Sequence, residues 1–88
     1  MITGAQIRAA RALLRWSAER LAKEAKLGVA TVRRADLADD AVPAMTAANL
    51  DAIQRALEAA GIQFIPQNGG GAGVRYRQRR DEAGTAQD

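Results

Sequence analysis

Four times along the chain, a residue suited to capping a helix has an apolar residue just before it and another four positions after it. Thr3 lies between Ile2 and Ile7, with Gln6 placed to complete a capping box. Ser17 lies between Trp16 and Leu21, Gly28 between Leu27 and Val32, and Thr46 between Met45 and Leu50. In such a set the capping oxygen takes up an N–H that the first helical turn leaves without a partner, and the flanking apolar pair closes over the turn. Gly28 has no side-chain oxygen and makes the weakest of the four caps. The spacing predicts helices over roughly 3–15, 17–25, 28–37 and 46–60. Apolar residues at helical spacing give each one an inner face: Ile7, Ala10 and Leu14 with Leu13 beside them, then Leu21, Ala22 and Ala25, then Val32 and Ala35, then Leu50, Ile53 and Leu57. The fourth helix stops at Gly61, a residue suited to the left-handed position after a helix.

Beyond Gly61 the pattern changes period. IQFIP and VRYRQ are short β-prone stretches separated by QNGGGAG, and in the second Val74 and Tyr76 alternate with Arg75 and Arg77. The expected architecture is mainly α: a four-helix domain over residues 1–61 and a β-hairpin extension over 62–80. A polar tail over 81–88 has nothing to bury and reads as disordered. A two-stranded hairpin is marginal alone in water, so this one must lie on the helices or pair with another chain.

The chain has 88 residues with no cysteine and no histidine, which removes disulfide frameworks, thiol nucleophiles, the usual zinc ligand sets and imidazole acid–base chemistry. No apolar run is long enough to span a bilayer, and Met1–Ile2 does not open a signal peptide. These features suggest a protein of the reducing cytoplasm, without a membrane partner. The apolar residues make up 48% of the chain but are mostly alanine, so the core is thin and a homodimer is expected to add stability. Charge is unevenly placed. Residues 1–34 carry eight Arg or Lys against two acids, residues 35–74 one arginine against five acids, and residues 75–88 four arginines against three acids. A basic first third followed by an acidic middle is the asymmetry of a polyanion-binding face.

The stretch WSAERLAKEAKLGVATVRRAD places two short helices around a tight corner. It resembles the Cro/C1-type (XRE) helix-turn-helix family of phage repressors and bacterial regulators. The resemblance is carried by Ser17, Leu21–Ala22, Thr31–Val32 and Asp36, and extends over about residues 3–60. It implies a four-helix Cro/C1-type domain that binds double-stranded DNA as a small dimeric regulator, either a repressor or an autoregulator, on a near-palindromic operator. The chain departs from the family in two places: Lys26 stands where the family often has glycine, and Gly28 where it often has a serine or threonine cap. Either Lys26 adopts a left-handed backbone, at a cost on the order of 1 kcal/mol, or the turn is shifted by a residue or two.

By the same resemblance, the base-reading positions fall on Val29 and Ala30 and, one turn later, on Arg33 and Arg34, with Arg34 the better match. Small residues at the helix front let the backbone approach the groove and meet a thymine methyl, and an arginine one turn on reaches guanine O6 and N7. Ser17, at a helix N-terminus, suits a phosphate, and Arg20, Lys23, Lys26 and Arg11 are candidate phosphate partners. Thr31 faces either the core or a phosphate. Dimer contacts are expected through helix four or the hairpin, at Leu57, Phe64, Ile65 and Tyr76.

Other readings are weaker. NGGGAG lacks the lysine and hydroxyl residue of a phosphate-binding loop and precedes a strand-like segment. Asp36, Asp39 and Asp40 read as an acidic surface loop, not a metal site, and neither an enzymatic activity nor a cofactor is expected. A protein-interaction module of the antitoxin or antiactivator kind, acting through the hairpin and arginines 75, 77, 79 and 80, is the principal alternative. Chromatin-type binding without sequence preference is a third.

Overall fold

A computed structural model describes residues 1–79; Arg80 and the tail expected to be disordered lie outside the described residues. Four helices, α1 (Gly4–Leu14), α2 (Ala18–Ala25), α3 (Val29–Asp36) and α4 (Ala47–Ala59), are followed by the strands β1 (Ile62–Ile65) and β2 (Gly73–Tyr76). Each helix begins one residue inside the sequence estimate because the cap residue keeps an extended backbone and stays outside it. Thr3 forms the full capping box: its Oγ1 accepts from the Gln6 N–H at 3.2 Å and its own N–H donates to Gln6 Oε1 at 2.9 Å. Ser17 Oγ accepts from the Arg20 N–H at 2.9 Å, and Thr46 Oγ1 from the Asn49 N–H at 3.1 Å. Gly28 makes no side-chain cap bond.

The inner faces meet in one core. Ile7, Leu21, Val32, Ile53, Leu57 and Ile62 are fully buried, and each contributes about 1.5–3 kcal/mol relative to exposure. Ala10, Ala22, Ala25 and Ala35 fill the spaces between the larger side chains. Two leucines of α1 sit further out than their spacing predicts: Leu14 only packs against the rim of the core, and Leu13 is exposed. Gly4 marks the closest approach between elements. A Cβ on it would stand 2.5 Å from the Ala35 carbonyl oxygen and 2.7 Å from the Asp39 nitrogen, so the start of α1 lies against the end of α3. The first N–H groups of α1, on Gly4 and Ala5, donate to the Ala41 and Asp39 carbonyls of the α3–α4 loop.

The strands pair antiparallel, with Ile62 opposite Tyr76 and Phe64 opposite Val74. These four residues pack on or against the helical core, so the hairpin rests on its own domain, one of the two ways such an element gains stability. The buried Gln6 side chain fastens it. Its Nε2 donates to the Ile65 carbonyl at 3.2 Å and the Gly73 carbonyl at 2.9 Å while its Oε1 serves the α1 capping box. At the other end of β2, the Tyr76 hydroxyl donates to the Leu13 carbonyl.

Candidate nucleic-acid interface

The corner between α2 and α3 is three residues long, Lys26, Leu27 and Gly28. Lys26 takes the left-handed backbone, with φ of 60° and ψ of 43°, and the Leu27 N–H returns to the Ala22 carbonyl at 2.9 Å. The departure from glycine at position 26 is therefore met by a left-handed lysine, without a shift of the turn. Gly28 itself has an ordinary extended backbone, φ −71°, and open space where a Cβ would stand. Glycine is not required there by conformation.

From this corner α3 turns two faces. Val32, Ala35 and Asp36 point into the domain; Ala30, Arg33, Arg34 and Leu37 are exposed on the other side, and Val29 and Thr31 lie half-buried between them. Among the described residues, the N–H groups of Val29 and Ala30, in the uncapped first turn of α3, have no acceptor. The two adjacent arginines differ. Arg33 Nη2 meets Glu19 Oε2 on α2 at 3.0 Å, whereas Arg34 has no carboxylate or hydrogen-bond partner among the described residues. Lys23 and Lys26, both exposed, are likewise unpaired among the described residues. Arg20 pairs with Glu24 at 3.0 Å and lies over the Trp16 ring, 4.8 Å from its centroid. Ser17 is exposed at the N-terminus of α2, its oxygen engaged by the Arg20 N–H.

Two expected site residues are corrected. Arg11 is not open to a phosphate: its Nη2 meets Asp36 Oδ2 at 2.5 Å, its Nη1 donates to the Trp16 carbonyl at 3.0 Å, and the Arg11 and Asp36 side chains are only 19% and 12% exposed. The guanidinium ties α1 to the end of α3 and to the α1–α2 corner. Asp36 is therefore no part of a surface acidic loop, and Asp39 is paired with Arg8 at 3.0 Å. Leu57, expected at a dimer contact, is fully buried in the domain's own core and has no surface to offer a second copy. Phe64 and Tyr76 also turn toward that core, and Ile65 is half-buried.

Leu37 had been passed over. At 78% exposure it extends the outer stripe of α3 by another turn, at the i+3 and i+4 spacing from Arg34 and Arg33. A surface groove of about 610 Å³ runs between α1 and the glycine loop of the hairpin and carries one carboxylate, Asp40. Among the described residues no helix is long and apolar enough to cross a membrane. Compared with family models and with curated proteins, the sequence matches none.

Proposed function

We propose that this chain is a sequence-specific double-stranded DNA-binding regulator of the Cro/C1-type helix-turn-helix kind, acting as a homodimer with α3 in the major groove. The observation that carries the reading is the outer stripe of α3. Small residues, Val29 and Ala30, stand at its front with free N–H groups, and an arginine without a carboxylate partner, Arg34, stands one turn behind. Small front residues let the backbone close on the base edges and the phosphates, and Arg34 reaches guanine O6 and N7 with two hydrogen bonds. Arg33, partly neutralised by Glu19, serves less as a reader than as a link between α2 and α3. Ser17, Arg20, Lys23, Lys26 and Thr31 border this stripe and supply contacts to phosphates, which position the domain without reading sequence. In a dimer the two copies of α3 would read half-sites roughly one helical turn, about 34 Å, apart.

The test starts from a random-sequence duplex library, from which the full chain enriches its preferred 40-bp sites. Fluorescence anisotropy at near-physiological salt then compares an enriched duplex with its scrambled counterpart. A preference of about 1000-fold or more is expected. Arg34→Ala should flatten discrimination at one base pair, by about 1–3 kcal/mol, whereas Lys23→Ala should weaken all duplexes alike. Two variants with the same profile would overturn this division of roles, and equal binding of the wild-type protein to both duplexes would overturn the reading. Sedimentation showing only a monomer, on and off DNA, would remove the dimer.

A further inference from the structure

Five arginines on the helices, Arg8, Arg11, Arg20, Arg33 and Arg55, each meet a carboxylate within 3.0 Å. The hairpin differs. Arg75 Nε donates to the neutral Gln63 Oε1 at 3.0 Å and Arg77 Nη2 to the Glu58 backbone carbonyl at 2.7 Å. No acidic residue occurs between Glu58 and Asp81, and among the described residues neither arginine meets a carboxylate. Both side chains are exposed, while the alternating Val74 and Tyr76 turn to the core. Among the described residues, the hairpin thus holds two guanidinium groups without a carboxylate, each anchored by one neutral bond that leaves its other donors open.

Their place follows from the fastenings of β2. Its first residue, Gly73, is held by Gln6 near the start of α1, and its last, Tyr76, is bonded to Leu13 at the end of α1. The strand therefore follows α1 in the same sense, with Arg77 beyond it held at the end of α4, and its last residue reaches Leu13, four residues before Ser17 at the N-terminus of α2. That N-terminus is the phosphate-facing element of the function proposed above, on which the present inference rests. Strand edges are protected by charge of either sign, but protection alone does not call for two arginines and no acid. We propose that the hairpin is a second DNA contact: Arg75 and Arg77 bind the phosphate backbone just outside the half-site read by α3. It adds affinity and footprint length without adding base preference.

The test compares wild-type protein, R75Q/R77Q and R75K/R77K on an enriched 40-bp duplex, on its scrambled form, and on the enriched duplex trimmed to the bases that α3 protects. Each released phosphate contact contributes about −0.9 to the slope of log K against log salt, so R75Q/R77Q should lower the slope by about 2 on the long duplex. Between 50 and 200 mM salt, wild-type binding then falls about tenfold further than that of the variant. The ratio of enriched to scrambled affinity should stay unchanged, and on the trimmed duplex the proteins should converge. R75K/R77K keeps the charge but loses the planar guanidinium fork that bonds Gln63 and Glu58, so a wild-type slope for it separates charge from guanidinium geometry. An unchanged slope for R75Q/R77Q, with R34A still losing its preference, would overturn the hairpin contact and leave the α3 reading intact. A slope lowered as much by lysine as by glutamine would also overturn it, assigning the arginines a structural role. Absence of any enriched duplex would overturn both.

Discussion

The molecule makes the same turn twice and finishes it differently. At the α1–α2 corner Arg15 takes a left-handed backbone, φ 57°, and the Trp16 N–H returns to the Arg11 carbonyl; at the α2–α3 corner Lys26, φ 60°, and the Leu27 N–H do the same with Ala22. Both are two-bond helix stops built on a basic residue where glycine would be easier. After that the first corner is secured at every point. Ser17 caps the next helix, and the half-buried Arg11 grips both the Trp16 carbonyl and Asp36. The second corner goes without: Gly28 caps nothing, and the small residues after it, half-buried Val29 and exposed Ala30, have N–H groups with no acceptor among the described residues. Local rules that hold through the rest of a domain tend to lapse at working surfaces, and this difference is in keeping with the interface proposed at the α2–α3 corner.

The largest effect should come from the secured corner. Arg11→Ala would leave Asp36 without its partner in a largely enclosed place, and breaking such a pair costs about 3 kcal/mol or more. Thermal and denaturant unfolding should show that loss. The double variant R11M/D36L, which removes both charges, should recover most of it, because the penalty comes from the stranded charge. A double variant no more stable than R11A would mean that the pair contributes through geometry, not charge.

This corner also shows what could be read from the chain. Helix starts were legible because a cap and its apolar flank lie within a few residues of each other, and Leu21, Val32, Ile53 and Leu57 follow from period alone. Arg11 was misjudged because its partner lies 25 residues away and no local pattern announces it. Gln6 was seen as a capping residue, and that sufficient role hid its second one, the bonds to the hairpin carbonyls. Gly4 gave no signal, since its need for space arises only when α3 arrives beside it. Leu57 was assigned to a dimer although its own stripe with Leu50 and Ile53 placed it inside; period was the better guide. On the outer face of α3, the adjacent arginines were plain in the sequence, but the division between Arg33, paired with Glu19, and Arg34, unpaired among the described residues, was not.

Next in size is the cap present at one corner and missing at the other. Ser17→Ala removes the acceptor for the Arg20 N–H and should cost about 1 kcal/mol of stability. Mutation at Thr46, another singly capped start, gives the comparison: T46A should lose a similar amount. A much larger loss at Ser17 would show that the first corner depends on more than its cap.

The left-handed residues test the likeness of the two turns. R15G and K26G each relieve a backbone disfavoured for a residue with a Cβ, and each should gain up to about 1 kcal/mol from that relief, less the greater freedom of glycine in the unfolded chain. The two gains should agree within about 0.5 kcal/mol in chemical unfolding. On DNA, K26G should also lower the salt slope by about 1, since it removes a proposed phosphate contact. A stabilised K26G with an unchanged slope would take Lys26 out of the interface while leaving the shape of the turn intact.

The smallest effect is the most pointed. Gly28→Ser gives the second corner the cap that the first possesses. The backbone at Gly28 is already extended and its Cβ would meet nothing within 4 Å, so serine enters without strain. Its Oγ can accept from the Thr31 N–H, which now makes a bond of 3.1 Å to the Gly28 carbonyl. Serine in place of glycine at such a position gains only a few tenths of a kcal/mol, measurable as a small shift in denaturant midpoint at constant slope. The Val29 and Ala30 N–H groups stay free, so affinity for an enriched duplex should hold. If G28S is stabilised but binds less well, the empty cap is itself part of the DNA surface, leaving room for a phosphate where a hydroxyl would stand. If it is destabilised, the open space beside Gly28 is needed by a neighbouring copy or by the corner in motion, and the likeness between the two turns ends one residue earlier than drawn here.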